Sequence, residues 1–111
     1  MRDDREKLCD ILEAIERIER YAIQGRQSFE EDELIQTWFI RHLEIIGEAS
    51  RALSSATREQ HPDIPWTQMI GMRNILTHNY FELDLDVVWS VVEHNLPALK
   101  PKIEAILQSL S

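Results

Sequence analysis

The sequence predicts an all-α fold, an up-and-down bundle of four to five helices forming one domain over residues 1–111. Three observations point there. Apolar residues recur with the helical period along most of the chain. Only three Gly and four Pro interrupt it, too few turn formers for a many-stranded sandwich. A hydrophobic share of 43% beside 29% charged residues is the composition of a globular protein, and 111 residues suffice for one core but not for two.

From Asp4 to Gln24, Leu8, Ile11, Leu12, Ile15, Ile18 and Ala22 form the stripe of a one-sided helix, which Gly25 ends. Its other face carries Asp10, Glu13, Glu16, Arg17, Glu19 and Arg20, a solvated charge run. Ser28 followed by Glu31 reads as a capping box opening a second helix. From Leu34 to about Leu53, Ile35, Trp38, Phe39, Leu43, Ile45, Ile46, Ala49, Ala52 and Leu53 cover much of the circumference, as the most buried element requires. Gly47 marks a close helix crossing there. Residues 54–65 read as a loop closed by Pro62 and Pro65. A third helix opens near Pro65 with Trp66, Met69, Ile70, Met72 and Leu76 on its apolar side. A fourth begins after Asp84, with Leu85, Val88, Trp89, Val92 and Leu96 inward. Pro97 and Pro101 punctuate a last helix that turns Leu99, Ile103, Ile106, Leu107 and Leu110 to the core.

Composition also excludes several classes of function. No apolar run approaches the roughly 18–20 residues that span a bilayer, and the first residues lack the apolar segment of a signal peptide, so a cytoplasmic location is expected. The lone Cys9 can form neither an internal disulfide nor a cysteine-based zinc site, and it reads as a small residue near the core edge. A net charge of -8 argues against non-specific nucleic-acid binding. That charge is unevenly placed. Residues 1–33 hold eleven acids against six bases, residues 34–81 four against four, and residues 82–111 five against two. RNA would have to be gripped locally by a few arginines in the neutral middle, whereas a basic protein partner could use the acidic exterior.

That neutral middle contains the run from Arg73 to Tyr80, where a cation, an imidazole and a phenol arrive together. At about 100° per residue, Arg73 falls inside the apolar face of its helix, between Met69 and Ile70 on one side and Leu76 on the other. Leaving it there unpaired would cost several kcal/mol, so it meets an acid, such as Glu44 or Glu48, or points into a cleft that accepts anions. His78 lies about 140° from Arg73 on a straight helix, so the two cannot face one site within it. Either the helix ends near Leu76 or Thr77, a break that Asn79 would favour, or a second chain places its own motif opposite the first. The chemistry available to such a cleft is attack of a ribose 2′-OH on its phosphodiester, with histidine moving the proton and guanidinium holding the phosphoryl oxygens. That chemistry needs no metal. Glu82, Asp84 and Asp86 read as caps of the fourth helix rather than as ligands.

Arg73-x4-His78-x-Tyr80 resembles the RxxxxHxY motif of HEPN-domain toxins, in the HepT-like branch paired with small MNT nucleotidyltransferase antitoxins. The likeness runs through Leu43-Glu44-Ile45-Ile46-Gly47-Glu48-Ala49, Ile64-Pro65-Trp66, Ile70-Gly71-Met72-Arg73-Asn74, Tyr80-Phe81 and Val88-Trp89, in order and spacing over nearly the whole chain. The resemblance implies a helical homodimer with a composite, metal-independent endoribonuclease cleft. It implies Arg73 and His78 as catalytic residues, Asn74 as a site-shaping neighbour, and Tyr80 as the residue on which the antitoxin places nucleotidyl groups from ATP.

Two other functions fit the same residues: a non-catalytic acidic helical dimer that binds a nucleotidyltransferase, and a nucleotide-binding bundle in which Arg73 grips a phosphate. Trp38, Trp66 and Trp89 read as core residues. His42, His61 and His94 read as surface or hydrogen-bonded histidines.

Overall fold

The computed structural model describes residues 3–78 and 84–110, with the backbone alone over 73–78. Helix α1 (Asp4–Ala22) buries Leu8, Ile11, Ile15 and Ile18 of the stripe predicted for it and also Ala14, which lay outside that stripe, while Leu12 and Ala22 are half-buried. Arg17 meets Glu13 at 3.6 Å on its outer face. Gly25, at a φ of 96°, reverses the chain in the left-handed region that a side chain would strain. Cys9 is exposed, not near the core edge: it stands about 100° from Leu8 and about 200° from Ile11, on the outer flank.

The expected capping box at Ser28 does not form. Ser28 instead lies inside a short helix, α2 (Arg26–Glu31), and its hydroxyl donates to the Gln24 carbonyl at 3.3 Å. The long helix α3 (Glu33–Ala52) is capped by Asp32, whose carboxylate accepts from the Leu34 N–H at 2.9 Å. Phe29 is the physical reason. Its ring is 1% exposed and lies against Phe39 and Trp89 at centroid distances of 5.3 and 5.6 Å, so burial of one aromatic outweighs the local capping pattern. Gln36 completes the turn by donating to the Phe29 and Glu30 carbonyls, which the end of α2 would otherwise leave open.

α3 is the central element, packed against both α1 and α5 (Trp66–His78). Ile35, Phe39, Leu43, Ile46, Gly47 and Ala49 are buried along it, while Ala52 is exposed. Its two buried polar side chains are satisfied within the helix. The Ser50 hydroxyl donates to the Ile46 carbonyl at 2.7 Å, and His42 Nδ1 lies 2.7 Å from the Trp38 carbonyl, a partner that requires Nδ1 to carry the proton.

The connection after α3, expected to be all loop, contains the short helix α4 (Ser55–Gln60) with Ser54 as its cap. Asp4 fastens this corner to the start of α1, accepting from the Ser54 N–H at 3.0 Å, from the Ser54 hydroxyl at 2.6 Å and from the Thr57 hydroxyl. Partial desolvation pushes the Asp4 carboxyl up, but these donors outweigh it and hold it below the ordinary aspartate range. A depressed native pKa adds stability that is present above the unfolded value and lost as pH falls through the folded one. We therefore expect Asp4→Asn to lower urea stability by about 1 kcal/mol at pH 7, with the difference from wild type shrinking as pH falls below about 4 and on through the lower folded value. A gap that persists unchanged into acid would contradict this account.

The last two predicted helices are one continuous run. α6 (Leu85–Ser90) is capped by Asp84, which accepts from the Asp86 and Val87 N–H groups. It passes without a break through a π-helical turn, Val91–Asn95, into α7 (Leu96–Ser109). In that turn the Leu96 N–H reaches back five residues to the Val91 carbonyl, so Pro97, which has no N–H to give, falls where the ladder already changes register. Val88, Trp89, Val92, Leu96, Leu99, Ile103 and Ile106 are buried, whereas Leu110, expected inward, is 50% exposed. α7 returns along α1, where Lys100 meets Glu19 at 2.9 Å. Arg26 ties α2 to α6 through Asp86 and also holds Glu30 at 2.8 Å. The result is the expected all-α bundle. Among the described residues no helix is long and apolar enough to cross a membrane.

Candidate functional site

α5 positions the motif. Its entry is set by Ile64 and Trp66, both buried, by the Trp66 indole N–H donating to the His61 carbonyl at 3.0 Å, and by the Pro65 carbonyl accepting from Met69 N–H at 3.0 Å. Met69 and Met72 are half-buried on the core side. The second half of the helix carries Arg73, Asn74 and His78, and its backbone stays α-helical through His78.

This corrects one of the two geometries that the sequence left open. The helix does not end near Leu76 or Thr77. No Gly or Pro separates Arg73 from His78 to break the ladder, so the two positions stand about 140° apart around one continuous helix. A single copy of α5 therefore does not turn both positions toward one point. The side chains at 73–78, and with them the Arg73 ion pair with Glu44 or Glu48, lie outside the described residues, as do Tyr80 and Glu82.

The remaining expectations fall on described side chains. Trp66 and Trp89 are core residues, while Trp38 is half-buried at an edge, its indole N–H donating to the Arg17 carbonyl at 2.8 Å and its ring edge-on to Tyr21. His42 is buried and hydrogen-bonded. His61 is half-buried, and His94 is exposed beside Glu93 at 3.2 Å. Among the described residues, no three His, Cys, Asp or Glu side chains come together as a metal site. Glu44 and Glu48 line a groove of about 510 Å³ between α1 and α3 with Lys7, Asp10 and Arg41. That groove carries three carboxylates against two cations and is not a natural anion cradle.

Arg73 and His78 lie on one helix of a small all-helical domain, in the one segment of the chain without net negative charge. The model of the ribonuclease HepT-like family matches residues 11–106. The chain is 42% identical over 106 residues to a protein of Thermococcus cleftensis named "Probable ribonuclease HepT", covering 95% of this chain and 96% of that one. It is 29% identical over 124 residues to a Shewanella oneidensis protein named mRNA nuclease HepT, covering 90% and 92%. No solved structure matches. The chain belongs to the ribonuclease HepT-like family.

The sequence reading missed a cavity of about 410 Å³ formed by α3, α5 and the π turn with α7. Its walls come from residues 43–46, 63–72 and 91–102, three segments whose convergence no local pattern announces. Met69 and Met72 were legible only as core.

Proposed function

We propose that the protein is the toxin of a HEPN/MNT toxin–antitoxin pair, a metal-independent endoribonuclease that works as a homodimer. Arg73 of one copy and His78 of the other share each cleft. The observation that carries this reading is the unbroken α5: since positions 73 and 78 diverge by about 140° on one helix, a cleft using both is completed by a second copy about a two-fold axis. In that cleft His78 takes the proton from the ribose 2′-OH as that oxygen bonds to phosphorus and gives it to the 5′ oxygen as the P–O5′ bond breaks, the guanidinium of Arg73 holds the non-bridging oxygens as charge builds at phosphorus, and Asn74 shapes the site beside it. The RNase names of the relatives support the reaction class. Purified protein incubated with total RNA in EDTA should cut it, and His78→Ala should cut at least about 100-fold more slowly; equal cutting by both would remove His78 from the mechanism.

Neutralisation falls to a nucleotidyltransferase that modifies Tyr80, a phenol two residues beyond His78 and a competent oxygen nucleophile once a partner's base and metal ions assist. Intact mass after co-expression with such a partner should show nucleotidyl adducts that disappear in Tyr80→Phe. An adduct that survives the substitution puts the modified residue elsewhere.

The second reading, an acidic dimer that binds the nucleotidyltransferase without cutting RNA, is favoured by the exposed side chains of one segment. Ile23 and Leu34 are 85% and 79% exposed, and residues 23–34 set four acids against one arginine around them. Such a segment suits a basic protein face better than RNA. The EDTA assay separates the two readings, because docking alone predicts no cleavage.

A further inference from the structure

The described walls of the cavity between α3, α5 and α7 have a specific chemistry. Its floor is apolar and buried: Leu43 and Ile46 from α3, Leu96 and Leu99 from α7. Met69 and Met72 form one wall, so two thioethers flank the space, a lining that favours aromatic rings through sulfur–π contact. The rim is polar and open to solvent, with the carboxamides of Gln68 and Asn95 each offering a donor and an acceptor. The π turn Val91–Asn95 supplies part of that rim, and such turns recur at functional sites.

Charge narrows the occupant. Among the described lining residues Lys102 is the one lysine or arginine, and it is engaged with Asp63, 3.1 Å from its carbonyl and 3.8 Å from its carboxylate. The described lining therefore offers little to a phosphate and much to a neutral, flat heterocycle with hydrogen-bonding edges. A volume of about 410 Å³ is in the range of small-ligand pockets. Proteins that read single-stranded RNA splay bases out, pack their faces against side chains and hydrogen-bond their edges; here the two thioethers would meet a face and the two carboxamides an edge. Position also fits. Met69 precedes Arg73 by four residues, about 6 Å along the helix axis and about 40° around it.

We propose that this cavity is a nucleobase subsite, holding a base splayed from the RNA strand one or two nucleotides from the scissile phosphate. The proposal rests on the ribonuclease reading for its substrate, but its test reads binding and not cleavage.

The chain contains three methionines, and two of them line the cavity. Protein labelled with 13C-methyl methionine is titrated with adenosine and uridine 5′-monophosphates, with ribose 5-phosphate as the base-free control. The Met69 and Met72 methyl signals should move with at least one nucleotide, Met1 should stay, and ribose 5-phosphate should leave all three in place. Ala98→Trp, at an exposed lining position, should weaken the nucleotide effect at least tenfold while keeping the wild-type thermal midpoint. If that variant loses its fold, Asn95→Ala should still weaken binding at least threefold. Equal shifts with ribose 5-phosphate would make this a phosphate site and overturn the proposal. Shifts that follow protein concentration instead of nucleotide would give the cavity to a second copy and overturn it equally, as would nucleotides that move neither methyl. Cleavage lost in the EDTA assay with nucleotide shifts intact sinks the ribonuclease reading alone.

Discussion

Arg73→Ala and His78→Ala, each inactive alone, should recover cleavage when paired in one dimer. The expectation comes from the shape of α5, which stays helical through His78 and turns positions 73 and 78 about 140° apart. If each cleft takes its arginine from one copy and its histidine from the other, a mixed dimer holds one cleft lacking both groups and one holding both. Isolation through both tags leaves only mixed dimers, each with one of two clefts intact, so about half of the wild-type rate should return. Each variant alone should fall by roughly 10²–10⁴-fold, the usual contribution of a positioned proton-transfer group. The measurement is RNA cleavage by co-expressed, differently tagged variants isolated through both tags. Isolated mixed dimers that remain as dead as their parents would show that each cleft is built within one copy, and α5 would then have to change shape at work.

Phe29→Ala should be the most damaging single core change. The ring is 1% exposed, lies against both Phe39 and Trp89, and joins α2, α3 and α6 at one point. Truncating a buried phenylalanine costs about 3–5 kcal/mol, a large part of the roughly 5–15 kcal/mol available to a domain of this size. The thermal midpoint should drop by roughly 12–30 °C. Phe29→Leu, which keeps most of the volume, should cost less than about 1.5 kcal/mol. Urea denaturation of the three proteins decides the matter: a loss below about 1 kcal/mol in the alanine variant would mean that α2 is not part of the cooperative core.

Phe29 also shows where sequence reading stopped. The stripe of α1, the Asp84 cap and the inward residues of α7 as far as Ile106 were legible because each depends on neighbours within one or two turns. Ser28 and Glu31 matched a capping box equally well, yet the distant partners Phe39 and Trp89 drew Phe29 inward and moved the cap to Asp32. The fusion of α6 and α7 was hidden for a similar reason. Pro97 is an ordinary stop signal unless the hydrogen-bond register has already shifted beneath it, and the π turn supplies that shift. At the candidate site, the motif and its family resemblance named the residues, and helical geometry posed the problem of their separation. The uninterrupted backbone of α5 then removed one of the two solutions. The cavity at Met69 and Met72 was not legible at all, since its walls come from segments twenty to thirty residues apart.

The packing of α7 on α1 has a consequence for the order in which a newly made chain gains its properties. The core that holds Leu8, Ile11, Ile15 and Ile18 also contains Leu99, Ile103 and Ile106. A ribosome therefore releases α5, with its arginine and histidine, well before the residues that close the bundle around α1 have emerged. Domains fold as units once their contacts can all be made, so a nascent chain carries the motif without the scaffold that positions it. The bundle that positions α5 is complete only after the last turns of α7 are made.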